Sequence, residues 1–284
     1  MISSSSGDKR PSELTLRVLS GVVMAALALG VAWLGGPLFG LFWIAAGCAV
    51  GAEWAWLATP DPAARRRAAG AVAVALGVIG ALYGASVGWG LGGLLWLAAL
   101  ALGAVGAGAL ARPAWGAGFG VLYGAAVFLG PLLLRTDPQD GMLALLWLFA
   151  VVWGTDIAAY ASGRTFGGPK LAPRLSPKKT WSGALGGAIL GPAAGVAVAA
   201  AGGVGHLAPV ALVGLAAAVA VILGDLFESG AKRRYGAKDS GHLIPGHGGA
   251  MDRLDGFLVA ATVAALIGLS RGGWDGAAQG LLRW

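Results

Sequence analysis

Apolar stretches long enough to cross a bilayer recur along the whole of this chain. A spanning helix needs about 20 predominantly apolar residues. Such runs are read at 18–34, 38–57, 69–87, 91–110, 114–134, 142–161, 181–201, 207–226 and 257–269. The last is short by itself and is expected to begin inside the polar motif before it. Of 284 residues, 57% are hydrophobic and 12% charged, where a soluble domain carries about 25% charged residues. The expected fold is therefore all-α: a polytopic integral membrane protein of about nine transmembrane helices. A β-barrel would alternate apolar and polar residues over short segments. Disorder requires low hydrophobicity. One cysteine, Cys48, forms no internal disulfide.

The positive charges set an orientation. With the N-terminus in the cytoplasm, only Arg135, Arg271 and Arg283 of the 20 Lys and Arg fall on the far side. That asymmetry is the positive-inside pattern. The net charge of +7 then reflects orientation beside anionic headgroups, and no nucleic-acid partner is expected. Trp274 and Trp284 fit an interfacial aromatic belt. Three regions follow: a polar cytoplasmic tail (1–15), N-terminal membrane helices (16–140) and a C-terminal catalytic region (141–284). The Ala/Gly-rich composition points to a bacterial inner membrane, multi-pass, with the chemistry on the cytoplasmic side.

Several motifs have ordinary readings. Gly88, Gly90 and Gly93 spell G-x-G-x-x-G, but no strand–helix unit surrounds them. Gly163 and Gly168 begin a P-loop spacing, yet Pro169-Lys170 follows and the Mg²⁺-binding hydroxyl is missing. Gly183, Gly187, Gly191 and Gly195 recur every four residues, which suits close helix packing. His206 is a lone histidine of an outer loop. Glu53, beside Trp54 and Trp56, is expected to snorkel to the interface. Asp156 is different. A carboxylate at mid-bilayer costs about 2.5–3.5 kcal/mol, so a cavity, a cation or a partner must offset it.

Residues 225–256 concentrate the chemistry. They hold Asp225, Glu228, Asp239, Asp252 and Asp255, with His242, His247, Lys232, Arg233, Arg234, Lys238 and Arg253. Carboxylates without cysteine favour a hard cation such as Mg²⁺. Asp225 and Glu228 are three apart, as are Asp252 and Asp255, so two helix ends can each present a carboxylate pair to one site. Basic residues among the acids suit phosphates. Gly246, Gly248 and Gly249 permit close backbone approach. A second segment, 162–180, is basic and without acids. It reads either as a positive-inside anchor or as a clamp for phosphate or anionic lipid, with Ser176, Lys178 and Lys179 at a helix start. Metal, cations and flexible backbone are the parts of phosphoryl and nucleotidyl transfer.

The pattern Ser229-x-x-Lys232-Arg233, Lys238-Asp239, Pro245-x-His247-Gly248-Gly249 and Asp252-Arg253-x-Asp255 resembles the signature of the phosphatidate cytidylyltransferase (CDP-diacylglycerol synthase) family. Asp156-x-x-Ala159-Tyr160-x-x-Gly163-Arg164 and Ser176-Pro177-Lys178-Lys179-Thr180 resemble its upstream motifs. Over the first 140 residues the likeness is one of hydrophobic character only. The family often has Glu-Gly shortly after the Ser-Pro-Lys-Lys-Thr run, where this chain has Ser182-Gly183. The resemblance implies cytidylyl transfer from CTP to phosphatidic acid, giving CDP-diacylglycerol and pyrophosphate in phospholipid biosynthesis. It also implies dependence on Mg²⁺, with room for a second cation, and a homodimer. By that match Asp225 and Asp252 are the first choices for metal ligands, and Glu228, Asp239 and Asp255 the second. Asp225, Asp239, Asp252, Asp255, His247 and Lys232 are the candidate catalytic residues. Ser176, Lys178, Lys179, Ser229, Arg233, Lys238, Gly248, Gly249 and Arg253 are the candidate substrate contacts.

Two other classes are weighed. Asp252-Arg253-Leu254-Asp255-Gly256 also matches the D-x-x-D-G start of the CDP-alcohol phosphotransferases, but Phe257-Leu258 follows and no aspartate occurs until Asp275. A cation-coupled transporter would carry ionisable residues at the midplane of inverted repeats, whereas here they gather on one face.

Overall fold

A computed structural model describes residues 13–86, 102, 103, 105, 115–241, 243, 244 and 248–284. The elements are α1 (Glu13–Leu34), α2 (Gly36–Ala58), α3 (Pro62–Ser86), a 3₁₀ turn (Trp115–Ala117), α4 (Phe119–Arg135), α5 (Gly141–Phe166), β1 (Lys170–Ala172), β2 (Ser176–Thr180), α6 (Trp181–Ala201), α7 (Leu207–Arg234), α8 (Met251–Gly272) and α9 (Ala277–Leu282). The fold is all-α and polytopic. Among the described residues, six helices are long and apolar enough to cross a membrane: α2, α3, α5, α6, α7 and α8. α4 and the Leu19–Leu34 part of α1 are shorter apolar helices. Every span expected from sequence falls on one of these helices except 91–110. That span lies outside the described residues apart from helical 102, 103 and 105. Gly88, Gly90, Gly93, His242, Pro245, Gly246 and His247 lie outside them too, as does most of the N-terminal tail.

Local chemistry sets the helix ends. Pro37 stands in the first turn of α2, where its missing N–H costs nothing. Thr180 caps α6 by accepting the Gly183 N–H at 3.1 Å. α5 stops at Gly167, whose φ of 60° turns the chain while its N–H reaches the Gly163 carbonyl. α8 begins at Met251, inside the polar motif, as the sequence implies.

The basic segment 162–180 is not one loop. α5 takes its first residues to Phe166, and the remainder folds into an antiparallel hairpin pairing Lys170 with Thr180 and Ala172 with Ser176. The segment 225–256 is likewise divided, because α7 continues to Arg234 before the chain turns.

The glycine stripe of α6 is buried against α5. A Cβ at Gly187 would lie 2.9 Å from the Thr155 carbonyl, so the small-residue reading holds. Leu185, Ile189 and Leu190, on the same helix, are exposed apolar side chains of the kind lipid accepts. Aromatic rings join the N-terminal helices to the C-terminal ones. Trp43 of α2 stacks on Phe257 of α8 at 4.8 Å, and Trp54 of α2 on Phe227 of α7 at 5.8 Å. At one end of the bundle Arg283 forks onto Asp140, with nitrogen–oxygen distances of 2.9 and 2.7 Å. The polar ends of α2, α5, α6, α7 and α8, with the hairpin, meet at the other.

Candidate active site

Because α7 stays helical to Arg234, Asp225, Glu228, Ser229 and Lys232 form one stripe along it. α8 faces that stripe closely. A Cβ on Gly224 would come 2.5 Å from the Asp255 carbonyl, and one on Gly256 3.1 Å from the Val221 carbonyl. Only hydrogens fit at that crossing, and it delivers Asp255 to the two acids of α7. One carboxylate oxygen each from Asp225, Glu228 and Asp255 lies within 4.8 Å of the others.

Cations border this cluster. Lys179, from β2, ion-pairs with Asp225. Lys232 stands 3.0 Å from Glu228 Oε2 and 2.6 Å from Asp252 Oδ1. Ser229 Oγ is 3.5 Å from Asp225 Oδ1, a long contact. Asp252 is spent differently from Asp255. Its Oδ2 accepts the Ser240 N–H (3.0 Å), the Ser240 hydroxyl (2.9 Å) and the Gly249 N–H (2.8 Å). With Lys232 on its other oxygen, both carboxylate oxygens of Asp252 have partners in the protein. Gly248, at φ 83°, leaves no room there: a Cβ would sit 2.7 Å from Asp252 Oδ2. Asp225 and Asp252 line the same cavity in different surroundings. The carboxylate grouped with Asp225 and Glu228 comes from Asp255, and Asp252 holds Lys232 beside Glu228.

Glu228 is almost fully buried, and its Oε1 has no hydrogen-bond partner among the described residues. A buried glutamate grouped with two further carboxylates, with one oxygen that no donor among the described residues reaches, fits a hard divalent cation. The surroundings agree. The cluster lines a cavity of about 690 Å³ whose wall includes six acids (Asp156, Asp225, Glu228, Asp239, Asp252, Asp255) against five bases (Arg164, Lys178, Lys179, Lys232, Arg253). A polyphosphate in such a cavity needs added positive charge, which a divalent ion provides.

The cavity gathers most of the sequence candidates. Lys178, Lys179, Asp225, Glu228, Lys232, Asp239, Asp252, Arg253 and Asp255 all line it. Ser176, Ser229, Arg233, Lys238, Gly248 and Gly249 stand outside its wall. Arg233 and Lys238 are exposed, and Gly248 and Gly249 wrap Asp252. Asp156 faces the cavity, which is how a polar side chain on a membrane helix is accommodated. Ser182 bonds to Thr180 Oγ1 at 3.0 Å and to the Gly167 carbonyl, closing the base of the hairpin.

Glu53 corrects a sequence expectation. It does not snorkel. Its carboxylate accepts the Ala250 N–H at 3.0 Å, the Met251 N–H at 2.8 Å and the Ser240 hydroxyl at 3.0 Å. Backbone donors almost 200 residues away in sequence leave no local pattern to read. The one available signal was the presence of a carboxylate on an otherwise apolar helix.

Residues 15–270 match the cytidylyltransferase family. The chain belongs to that family. A phosphatidate cytidylyltransferase of Brucella suis is 42% identical over 267 residues, covering 90% of this chain and 94% of its own length. The Pseudomonas aeruginosa phosphatidate cytidylyltransferase is 39% identical over 274 residues, or 92% and 98% of the two chains. That of Mycobacterium leprae is 42% identical over 133 residues, 46% of this chain and 42% of its own. The match to the cytidylyltransferase family runs from α1 to α8 and so takes in Glu53, well upstream of the motifs beginning at Asp156.

Proposed function

We propose that this protein transfers the cytidylyl group of CTP to phosphatidic acid, releasing pyrophosphate and forming CDP-diacylglycerol at the cytoplasmic face of a bacterial inner membrane. The observation that carries this reading is the cluster of Asp225, Glu228 and Asp255, flanked by Lys179 and Lys232, in a cavity at one end of a membrane bundle. The kinship with phosphatidate cytidylyltransferases over most of the chain supports it.

The reaction asks little covalent chemistry of the protein. A phosphate oxygen of phosphatidic acid attacks the α-phosphorus of CTP. The bond from that phosphorus to the β-phosphate oxygen breaks, and pyrophosphate leaves. The nucleophile is already anionic, so no strong base is required. Positioning and charge stabilisation do the work. Asp225, Glu228 and Asp255 would hold Mg²⁺, with Asp239 at the cavity wall nearby. The ion, when bound, neutralises charge building on the triphosphate and the departing pyrophosphate. Lys178, Lys179, Lys232 and Arg253 hold phosphate oxygens. Asp252 keeps Lys232 in place. Ser176, Ser229, Arg233, Lys238, Gly248 and Gly249, outside the cavity wall, would support or border the substrate path, and His247 precedes Gly248 in the sequence. A polar cavity at the end of a lipid-embedded bundle lets CTP enter from water and the lipid arrive from the side. A homodimer completes the reading on the family resemblance, and mass photometry in nanodiscs checks it.

The test is pyrophosphate release from CTP by the purified protein. Release that requires both phosphatidic acid and Mg²⁺ is expected. Release without lipid, or none from folded protein, overturns the assignment.

A further inference from the structure

We propose that Glu53 is a positioning residue for this reaction: it fixes the start of α8 and Ser240, so that Asp252 keeps Lys232 aimed at the three-carboxylate cluster. The proposal rests on the cytidylyl-transfer reading above.

α8 starts without a cap of its own. Ala250 at its N-cap offers no side-chain acceptor, and the first N–H groups of a helix have no intrahelical partner. Glu53, on a different helix, supplies the missing acceptors to Ala250 and Met251. Its negative charge suits the positive end of the helix dipole. The same carboxylate meets the Ser240 hydroxyl, which lies 3.0 Å from Glu53 and 2.9 Å from Asp252. One hydroxyl proton therefore sits between two carboxylates. The chain of contacts continues from Asp252 through Lys232 to Glu228, inside the cluster.

The loop is shaped around Glu53. A Cβ on Gly241 would lie 2.8 Å from Glu53 Oε1, and one on Gly249 would collide with Glu53 Oε2. Two glycines therefore let the backbone close directly over a carboxylate carried by the distant N-terminal half. Asp252 and Asp255 occupy the first turns of the helix so anchored. A shift of that start displaces both.

A purely structural Glu53 would change how much protein folds and how hot it melts. It would leave each folded molecule with normal metal binding and kcat. A positioning residue changes those two quantities, and loss of such supporting contacts typically costs about 10–100-fold. The experiment compares full-length wild type, Glu53→Ala, Glu53→Gln and Ser240→Ala in detergent. Mn²⁺ alone is titrated by electron paramagnetic resonance, and kcat is measured at saturating CTP and phosphatidic acid, normalised to folded protein. Glu53→Ala is expected to lose about 10–100-fold in both Mn²⁺ affinity and kcat with a smaller change in KM for CTP. Glu53→Gln, keeping one acceptor oxygen, recovers part of the loss. Ser240→Ala, which cuts only the link to Asp252, shows a lesser loss of the same kind. Wild-type Mn²⁺ affinity and kcat in folded Glu53→Ala overturn the proposal. Should that variant fail to fold, wild-type values in both Glu53→Gln and Ser240→Ala overturn it instead. The Mn²⁺ titration needs no nucleotide. If wild type makes no CDP-lipid, the reaction assignment falls while the Mn²⁺ result still decides the role of Glu53.

Discussion

At the scale of single residues the site divides into acids left open and acids held by the protein. Asp225, Glu228 and Asp255 converge, and one buried oxygen of Glu228 is unsatisfied. Asp255→Asn should therefore lower kcat at least about 100-fold, the scale of losing a key electrostatic contact, while the protein still purifies as a folded species. Activity within a few-fold of wild type would remove Asp255 from the cation site. Lys232 lies between Glu228 and Asp252 with little exposure. Lys232→Met leaves the buried Glu228 without its cation, while Asp252 keeps its Ser240 and Gly249 donors, and should cost about 3–5 kcal/mol of stability, read as a lowered melting temperature in detergent. Residue types were legible in sequence, since carboxylates and cations crowd 225–256. Which carboxylates meet was not. Asp252 and Asp255 are one helical turn apart, and only the glycine crossing at Gly224 and Gly256 decides that Asp255 faces Asp225.

At the scale of elements, periodicity located the helices. The i, i+3 pair of α7, Asp225 and Glu228, stays together, whereas of the α8 pair Asp255 joins that cluster and Asp252 turns to Lys232 and Ser240. The hairpin β1–β2 has no sequence signature, because two strands of three and five residues with interspersed prolines leave no alternating pattern. Its base is tied by Thr180, which also caps α6. Thr180→Ala should lower stability by about 1 kcal/mol, the usual worth of such a cap, and a drop beyond about 3 kcal/mol would show a larger role. Gly187→Val tests the α5–α6 seam. Its added carbons meet the Thr155 carbonyl, so overpacking should cost about 1–3 kcal/mol. Unchanged thermal stability would show that the two helices do not pack as described.

At the scale of the molecule, the multi-pass helical bundle was readable from hydropathy alone, and so was the gathering of charge at one end. How the N-terminal half joins the site was not, because Glu53 acts through backbone donors that sequence spacing cannot reveal. The orientation proposed from the positive charges has its own test. In a Cys48→Ala background, Pro173→Cys in the hairpin should react with a membrane-impermeant maleimide only from the cytoplasmic side, and Gln139→Cys only from the opposite side. The reverse labelling would invert the topology. The central claim is nucleotidyl transfer to a lipid phosphate. It is tested most directly by incubating the purified protein with phosphatidic acid, Mg²⁺ and CTP labelled at either the α- or the γ-phosphorus, then extracting the lipid. The account predicts α-label in the lipid and γ-label in pyrophosphate. γ-Label in the lipid, or no lipid label from folded protein, would contradict it.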